Sequence, residues 1–129
     1  MNWKPEGYNS VSPYLVVNDA SKVINFLFAV FSATVTRRYN DLDGSIVHAE
    51  LLIHDSIIMI ADATAEWPAV RAMVHVYVPD VDAVYNRAIS AGATNLILPV
   101  QDDDPDKRGG FTDPAGNSWW IATQQRDGI

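Results

Sequence analysis

His48, Glu50 and His75 are the side chains of this sequence best suited to moving protons. His48 and Glu50 stand two apart in Ile46-Val47-His48-Ala49-Glu50-Leu51. On a strand that spacing puts both on one face, where a carboxylate can hold an imidazole that acts as general base. A salt contact across neighbouring strands uses the same spacing. The face they occupy depends on whether the His54-Asp55 connection holds an even or an odd number of residues. His75 lies in the apolar run Met73-Val74-His75-Val76-Tyr77. It reads either as a histidine hydrogen-bonded in place or as a ligand contact and proton carrier, with Tyr14 or Tyr77 as partner. The acidic run Asp102-Asp103-Asp104-Pro105-Asp106 lacks the spaced ligands and closing glutamate of a calcium loop, and so reads as a solvated connection. With no cysteine, disulfides, thiolate nucleophiles and thiolate metal sites are excluded.

The elements that must position these groups occur twice in the same order. Val11 to Val17 reads as a strand, and Asp19 caps a helical stripe of Val23, Phe26, Leu27, Val30 and Phe31. Three strands follow, at Ala33–Tyr39, Ile46–Ile53 and Ser56–Ala61, with Asp43-Gly44 and His54-Asp55 as turns. The second copy has a strand at Met73–Val78, then Asp80 and the stripe Val81, Val84, Tyr85, Ala88 and Ile89, with Gly92 at the left-handed helix end. Its last three strands are Thr94–Val100, Gly109–Asp113 and Ser118–Gln124, the final pair joined by Pro114-Ala115-Gly116-Asn117. Val17-Asn18-Asp19 recurs as Val78-Pro79-Asp80, 61 positions on, and Asp55-Ser56 is matched to Asn117-Ser118, 62 positions on. The expectation is one α+β domain over residues 1–129, with module one at 11–62, a linker at 63–72 and module two at 73–124.

A chain of 129 residues with 48% hydrophobic and 19% charged residues is of a size and composition to bury one good core. Its net charge of −7 repels phosphate backbones and anionic lipid, which argues against nucleic acid and membrane surfaces as partners. No apolar run has membrane-spanning length, and Met1 to Pro13 lacks the apolar core of a signal peptide, so a cytoplasmic location is expected.

The segments Ser12-Pro13-Tyr14-Leu15-Val16-Val17, His48-Ala49-Glu50-Leu51, Tyr77-Val78-Pro79-Asp80-Val81-Asp82-Ala83 and Asp113-Pro114-Ala115-Gly116-Asn117 resemble the glyoxalase/bleomycin-resistance/dioxygenase (vicinal oxygen chelate) superfamily, in particular its PhnB-like branch. The resemblance covers residues 11 to 124, and the Asp-Pro-x-Gly-Asn turn is its most specific part. It implies tandem βαβββ modules forming a cup-shaped mixed sheet with helices outside, usually in a homodimer, with a metal or ligand in the concave face.

The superfamily pattern places its metal ligands five residues before the valine that precedes the helix cap, and three beyond the asparagine of the turn. Here those positions are Ser12, Met73 and Trp120, with Ile58 as the repeat mate of Trp120. Thioether, indole and alkyl groups suit a divalent oxygen-chelating ion poorly, so no metal and no cofactor is expected. A slip of two residues would bring His75 into the set, still without a carboxylate near Trp120.

Strand parity from Met73 turns His75 and Tyr77 into the concavity, together with Ser12, Tyr14 and Val16, and sends Trp120 inward and Trp119 to the opposite face. Such a lining fits a planar or amphipathic organic molecule. Plain core packing is the competing reading for Trp120. Arg108 falls where the PhnB-like pattern has an arginine, with Pro105-Asp106-Lys107 replacing the usual Trp-Gly-x. There it pairs with a carboxylate or closes the cup. Ser32 occupies the usual glycine after the first helix, at some cost in helix-end stability. The expected ligand contacts are therefore Trp120, Tyr77, His75, Tyr14, Met73, Ser12, Ile58 and Arg108. The expected function is metal-free binding of an aromatic or amphipathic small molecule, as in antibiotic sequestration. The alternatives are a metal-independent lyase or isomerase using His75 with a tyrosine, and a non-catalytic structural or regulatory subunit.

Overall fold

The first strand, β1 (Tyr14–Val17), runs into α1 (Ala20–Phe31) through Asp19, whose carboxylate accepts the Lys22 N–H. Three strands follow: β2 (Thr34–Asn40), β3 (Ile46–Ile53) and β4 (Ser56–Asp62). The order then repeats as β5 (Met73–Tyr77), α2 (Val81–Ser90, capped by Asp80), β6 (Thr94–Val100), β7 (Asp106–Thr112) and β8 (Ser118–Gln124). This computed structural model describes residues 1–127.

The strands form two four-stranded mixed sheets, ordered β1-β4-β3-β2 and β5-β8-β7-β6. In each, the first and last strands of the module run parallel, and the other pairs are antiparallel. Each module carries its helix on one sheet face, which makes the fold α+β. The chain divides into two compact units, one ending at Val70 and the other beginning at Arg71. The 63–72 stretch, read as a linker, mostly joins the first unit, because the Ala63 and Val70 N–H groups bond to the carbonyls of Val17 and Val16.

The buried face of the first sheet is Leu15, Val17, Ala49, Leu51, Ile58 and Ile60, beneath Val23, Leu27 and Val30 of α1. In the second unit Phe111, Trp119 and Ile121 pack beneath Val81, Val84 and Ala88. No helix among the described residues is long and apolar enough to cross a membrane.

Two details differ from the expected elements. β1 begins at Tyr14 instead of Val11, because Pro13 has no N–H for the ladder, although its carbonyl still accepts from Met59 N. β7 begins at Asp106, before the expected Gly109, since Asp106 and Lys107 pair with Gln124 and Thr123. The acidic run is thus partly strand. Ser32 ends α1 at φ 55, a left-handed conformation that glycine takes without strain, while Gly92 takes that role after α2 at φ 100.

Candidate functional site

In the first module the face away from α1 carries the chemistry. Register sets Tyr14 opposite Met59 and Met59 opposite Glu50, and His48 shares the face of Glu50 two residues along β3. This settles the orientation left open by the sequence. His48 Nε2 lies 2.8 Å from Glu50 Oε2, and His48 Nδ1 lies 2.9 Å from the Tyr14 hydroxyl. A carboxylate only accepts, so Nε2 carries the proton. In the neutral ring Nδ1 then accepts from Tyr14. The Tyr8 hydroxyl donates to Glu50 Oε1 at 2.6 Å, and Arg37 Nε stands 3.6 Å from the same oxygen.

Glu50 is 5% exposed. Burial pushes its carboxyl upward, but the hydrogen bonds from Tyr8 and His48 and the charge of Arg37 outweigh it and hold the group below its ordinary value. Tyr8 is correspondingly pushed up, first by lost hydration and then by its bond to Glu50. Tyr14 also borders a cavity of about 640 Å³ whose walls include Val16, Ile46, Ala61 and Trp67. The Asp62 carboxylate beside it is engaged by the N–H groups of Ala20 and Ile46, each at 2.7 Å.

The second module places different groups at the same backbone addresses. His75 stands opposite Trp120 and Trp120 opposite Gly110, so Arg108, two residues back along β7, occupies the position of His48. Arg108 Nη1 donates to His75 Nε2 at 3.2 Å, Arg108 Nη2 to Asp106 Oδ2 at 3.0 Å, and Arg108 Nε to Asp104 Oδ2 at 2.7 Å. Tyr77 donates to the same Asp106 oxygen at 2.6 Å and meets the His75 ring edge-on. Lost hydration lowers the pKa of His75, the Arg108 charge lowers it further, and Asp106 opposes them. His75 is therefore kept neutral with its Nε2 lone pair occupied, a poor arrangement for a base.

Trp119 and Trp120 separate as strand parity requires. Trp119 is fully buried on the helix side, and its N–H donates to Asp113 Oδ2 at 2.9 Å. Asp113 also receives Ala115 N, Asn117 N and Asn117 Nδ2, which is the physical reason for the Asp-Pro-x-Gly-Asn turn. Trp120 lies on the other face, over Gly110. A Cβ added there would come within 2.6 Å of the indole ring. The Trp120 N–H has no hydrogen-bond partner among the described residues. Its ring borders a cavity of about 240 Å³ that also touches Asp104, Asp106 and Arg108.

Of the expected contacts, Tyr14 shares the open face of the first module with His48 and Glu50. Ser12 precedes β1 and is held by Asn9 Nδ2. Met73, His75, Tyr77, Trp120 and Arg108 share the open face of the second module. Ile58 is a correction. It is 3% exposed beneath α1, and Met59 stands at the position matching Trp120. The two-residue hairpin at His54-Asp55 is shorter than the Asp113–Asn117 turn, so an alignment through the turns slips by one and exchanges faces. Tyr8 and Arg37 do not stand out in the sequence, where Asp104 and Asp106 read only as part of a solvated connection. Tyr8 lies before the repeat, and only the pairing of Arg37 with Glu50 across β2 and β3 would have flagged the arginine.

The superfamily metal set, corrected to Ser12, Met59, Met73 and Trp120, offers one hydroxyl, two thioethers and an indole. These donors do not fit a divalent oxygen-chelating ion. Among the described residues no three His, Asp or Glu side chains cluster as a metal site would need.

Comparison with known proteins agrees with this architecture. Residues 8–121 match the model of the Glyoxalase/Bleomycin resistance protein/Dioxygenase superfamily. An uncharacterised protein of Mycobacterium bovis is 32% identical over 130 residues, covering 92% of this chain and 85% of its own length. Among solved structures, TioX from Micromonospora sp. superposes with a TM-score of 0.76 at 21% identity, over 90% of this chain and 98% of its own. The fosfomycin resistance protein FosX of Listeria monocytogenes superposes with a TM-score of 0.74 at 16% identity, over 90% and 93%. A PhnB protein of Bacillus cereus shares the fold at a TM-score of 0.68 and 16% identity, over 89% and 99%. With the repeated βαβββ order and the buried Asp113 turn in place, the chain belongs to the glyoxalase/bleomycin resistance protein/dioxygenase superfamily.

Proposed function

We propose that this chain is a metal-independent small-molecule binding protein that holds an aromatic or amphipathic organic ligand against Trp120, as an antibiotic-sequestering protein would. The observation that supports this most is Trp120 itself. Gly110 makes room for the ring, the indole N–H lacks a partner among the described residues, and a cavity opens beside it. Met73, Tyr77 and His75 flank it on the same sheet face, and Arg108 is braced by Asp104 and Asp106 at its margin. An aromatic ligand stacked on the indole gains about 0.5–1.5 kcal/mol beyond its burial. FosX, which shares the fold, has been solved with Mn(II) and a dihydroxypropylphosphonic acid. The donors at the corresponding family positions here point to a ligand held without metal.

The working form is a homodimer. β2 and β6, each at one edge of its sheet, are exposed along almost their whole length, and such edges invite cover by a second subunit. Native mass spectrometry of protein recovered from its own cells tests both statements. A dimer carrying an organic adduct and no metal is expected, with the adduct lost in Gly110→Ala, whose new methyl displaces the Trp120 ring. One equivalent of bound metal that survives dialysis, or an adduct retained unchanged in Gly110→Ala, overturns the reading.

A further inference from the structure

The polar chain on the open face of the first module is more than a buried salt contact needs. We infer that Tyr14, His48 and Glu50 form a proton-transfer site in which the Tyr14 hydroxyl is the catalytic base and acid for a carbon acid held in the adjoining cavity. This site is carried by the first module's own side chains.

The geometry gives each group a direction. Tyr14 donates to His48 Nδ1 at 2.9 Å, and His48 Nε2 donates to Glu50 at 2.8 Å. Tyr14 is 49% exposed and borders the cavity, whereas Glu50 is buried and held ionised by Tyr8 and Arg37. Tyr14 thus touches both the space a substrate would enter and His48, and the carboxylate lies at the protected end. A substrate C–H breaks as its proton forms a new O–H bond at Tyr14. The proton Tyr14 held passes to His48 Nδ1, and the electron pair of the C–H bond stays on the substrate. The resulting imidazolium lies against the Glu50 carboxylate, which stabilises it in a site of low dielectric. Return of the proton to another atom of the substrate completes an isomerisation. No oxidant, reductant or co-reactant is consumed.

The walls define the substrate class. Val16, Ile46, Val47, Ala61, Ala63 and Trp67 favour an apolar or aromatic body. Asp41 and Asp62 line the cavity as well, and their negative charge disfavours an anion. A neutral, largely apolar carbon acid fits best. At equivalent positions of the second module, the guanidinium of Arg108 occupies the His75 lone pair. Those positions hold no corresponding base.

The test uses a nitro-substituted benzisoxazole, a neutral aromatic carbon acid. Removal of its ring proton breaks the N–O bond and releases a coloured phenolate. Binding is measured separately by equilibrium dialysis. The intact chain should bind the probe and open its ring at least tenfold faster than the same concentration of free imidazole. Tyr14→Phe should abolish that excess with the thermal midpoint retained, because an exposed hydroxyl alone is removed. His48→Gln should lower the rate at least tenfold without weakening probe binding, which a merely structural histidine would not do. A chain that binds the probe but opens it no faster than imidazole overturns the proposal, as does Tyr14→Phe at the wild-type rate. Failure to bind the probe overturns it too, because the cavity would not accept the substrate class assigned. Ligand binding at Trp120 keeps its own readout, the loss of the organic adduct in Gly110→Ala.

Discussion

Trp119 and Trp120 are adjacent in sequence and chemically identical, so replacing each by alanine isolates the effect of sheet face. Trp119 is fully buried beneath α2 and donates one of the four hydrogen bonds received by the Asp113 carboxylate. Deleting a core tryptophan costs roughly 3–5 kcal/mol. The lost bond is part of that sum, since Asp113 keeps its other three donors. For a chain of this size, with roughly 4 °C per kcal/mol, the thermal midpoint should fall by about 12–20 °C. Trp120 is partly exposed, and its N–H makes no hydrogen bond among the described residues. Trp120→Ala forfeits only the burial of one side of the ring over Gly110, at most about 2 kcal/mol, and the midpoint should fall by no more than about 8 °C. Thermal melts followed by far-ultraviolet circular dichroism make the comparison. Trp119→Phe serves as an intermediate that keeps the aromatic bulk and loses the bond to Asp113, worth about 1–3 kcal/mol. Equal losses for the two alanine variants, or a larger loss at Trp120, would refute the facing assignment and the metal argument that rests on the same parity.

The two histidine environments make separate predictions. Because the Glu50 carboxyl titrates below its ordinary 4.5 in the folded chain, its stabilising contribution is complete above that value and is lost as pH falls through the lower, folded one. Glu50→Gln should flatten the acid-side decline in urea midpoint between neutral pH and pH below 4.5, and parallel declines in variant and wild type would contradict this. His75 should titrate below its ordinary 6.5 in a proton NMR titration. Arg108→Gln should move it partway back, lost hydration being the larger cause. An unchanged midpoint in the variant would show that the guanidinium does not face the ring.

Much of this protein was legible in its sequence because the relevant physics is local. Asp19 and Asp80 are good N-caps, the apolar stripes of α1 and α2 have helical spacing, and strand alternation separates Trp119 from Trp120. The repeated order of elements, and with it the family, followed from such signals. The Asp113 turn was visible as a motif, and its reason, a carboxylate gathering four donors, was not. What the tertiary structure decided is register. The short His54-Asp55 hairpin shifts β4 by one residue, which buries Ile58 and brings Met59 into its place. The same ladder carries His48 and Glu50 to the face of Tyr14, and it lets Tyr8 and Arg37 reach Glu50 from 42 and 13 residues away along the chain. Sequence spacing cannot reveal such meetings. A proton relay depends on which strands pair and in what register, and that is fixed only when whole faces of a sheet choose between helix and solvent.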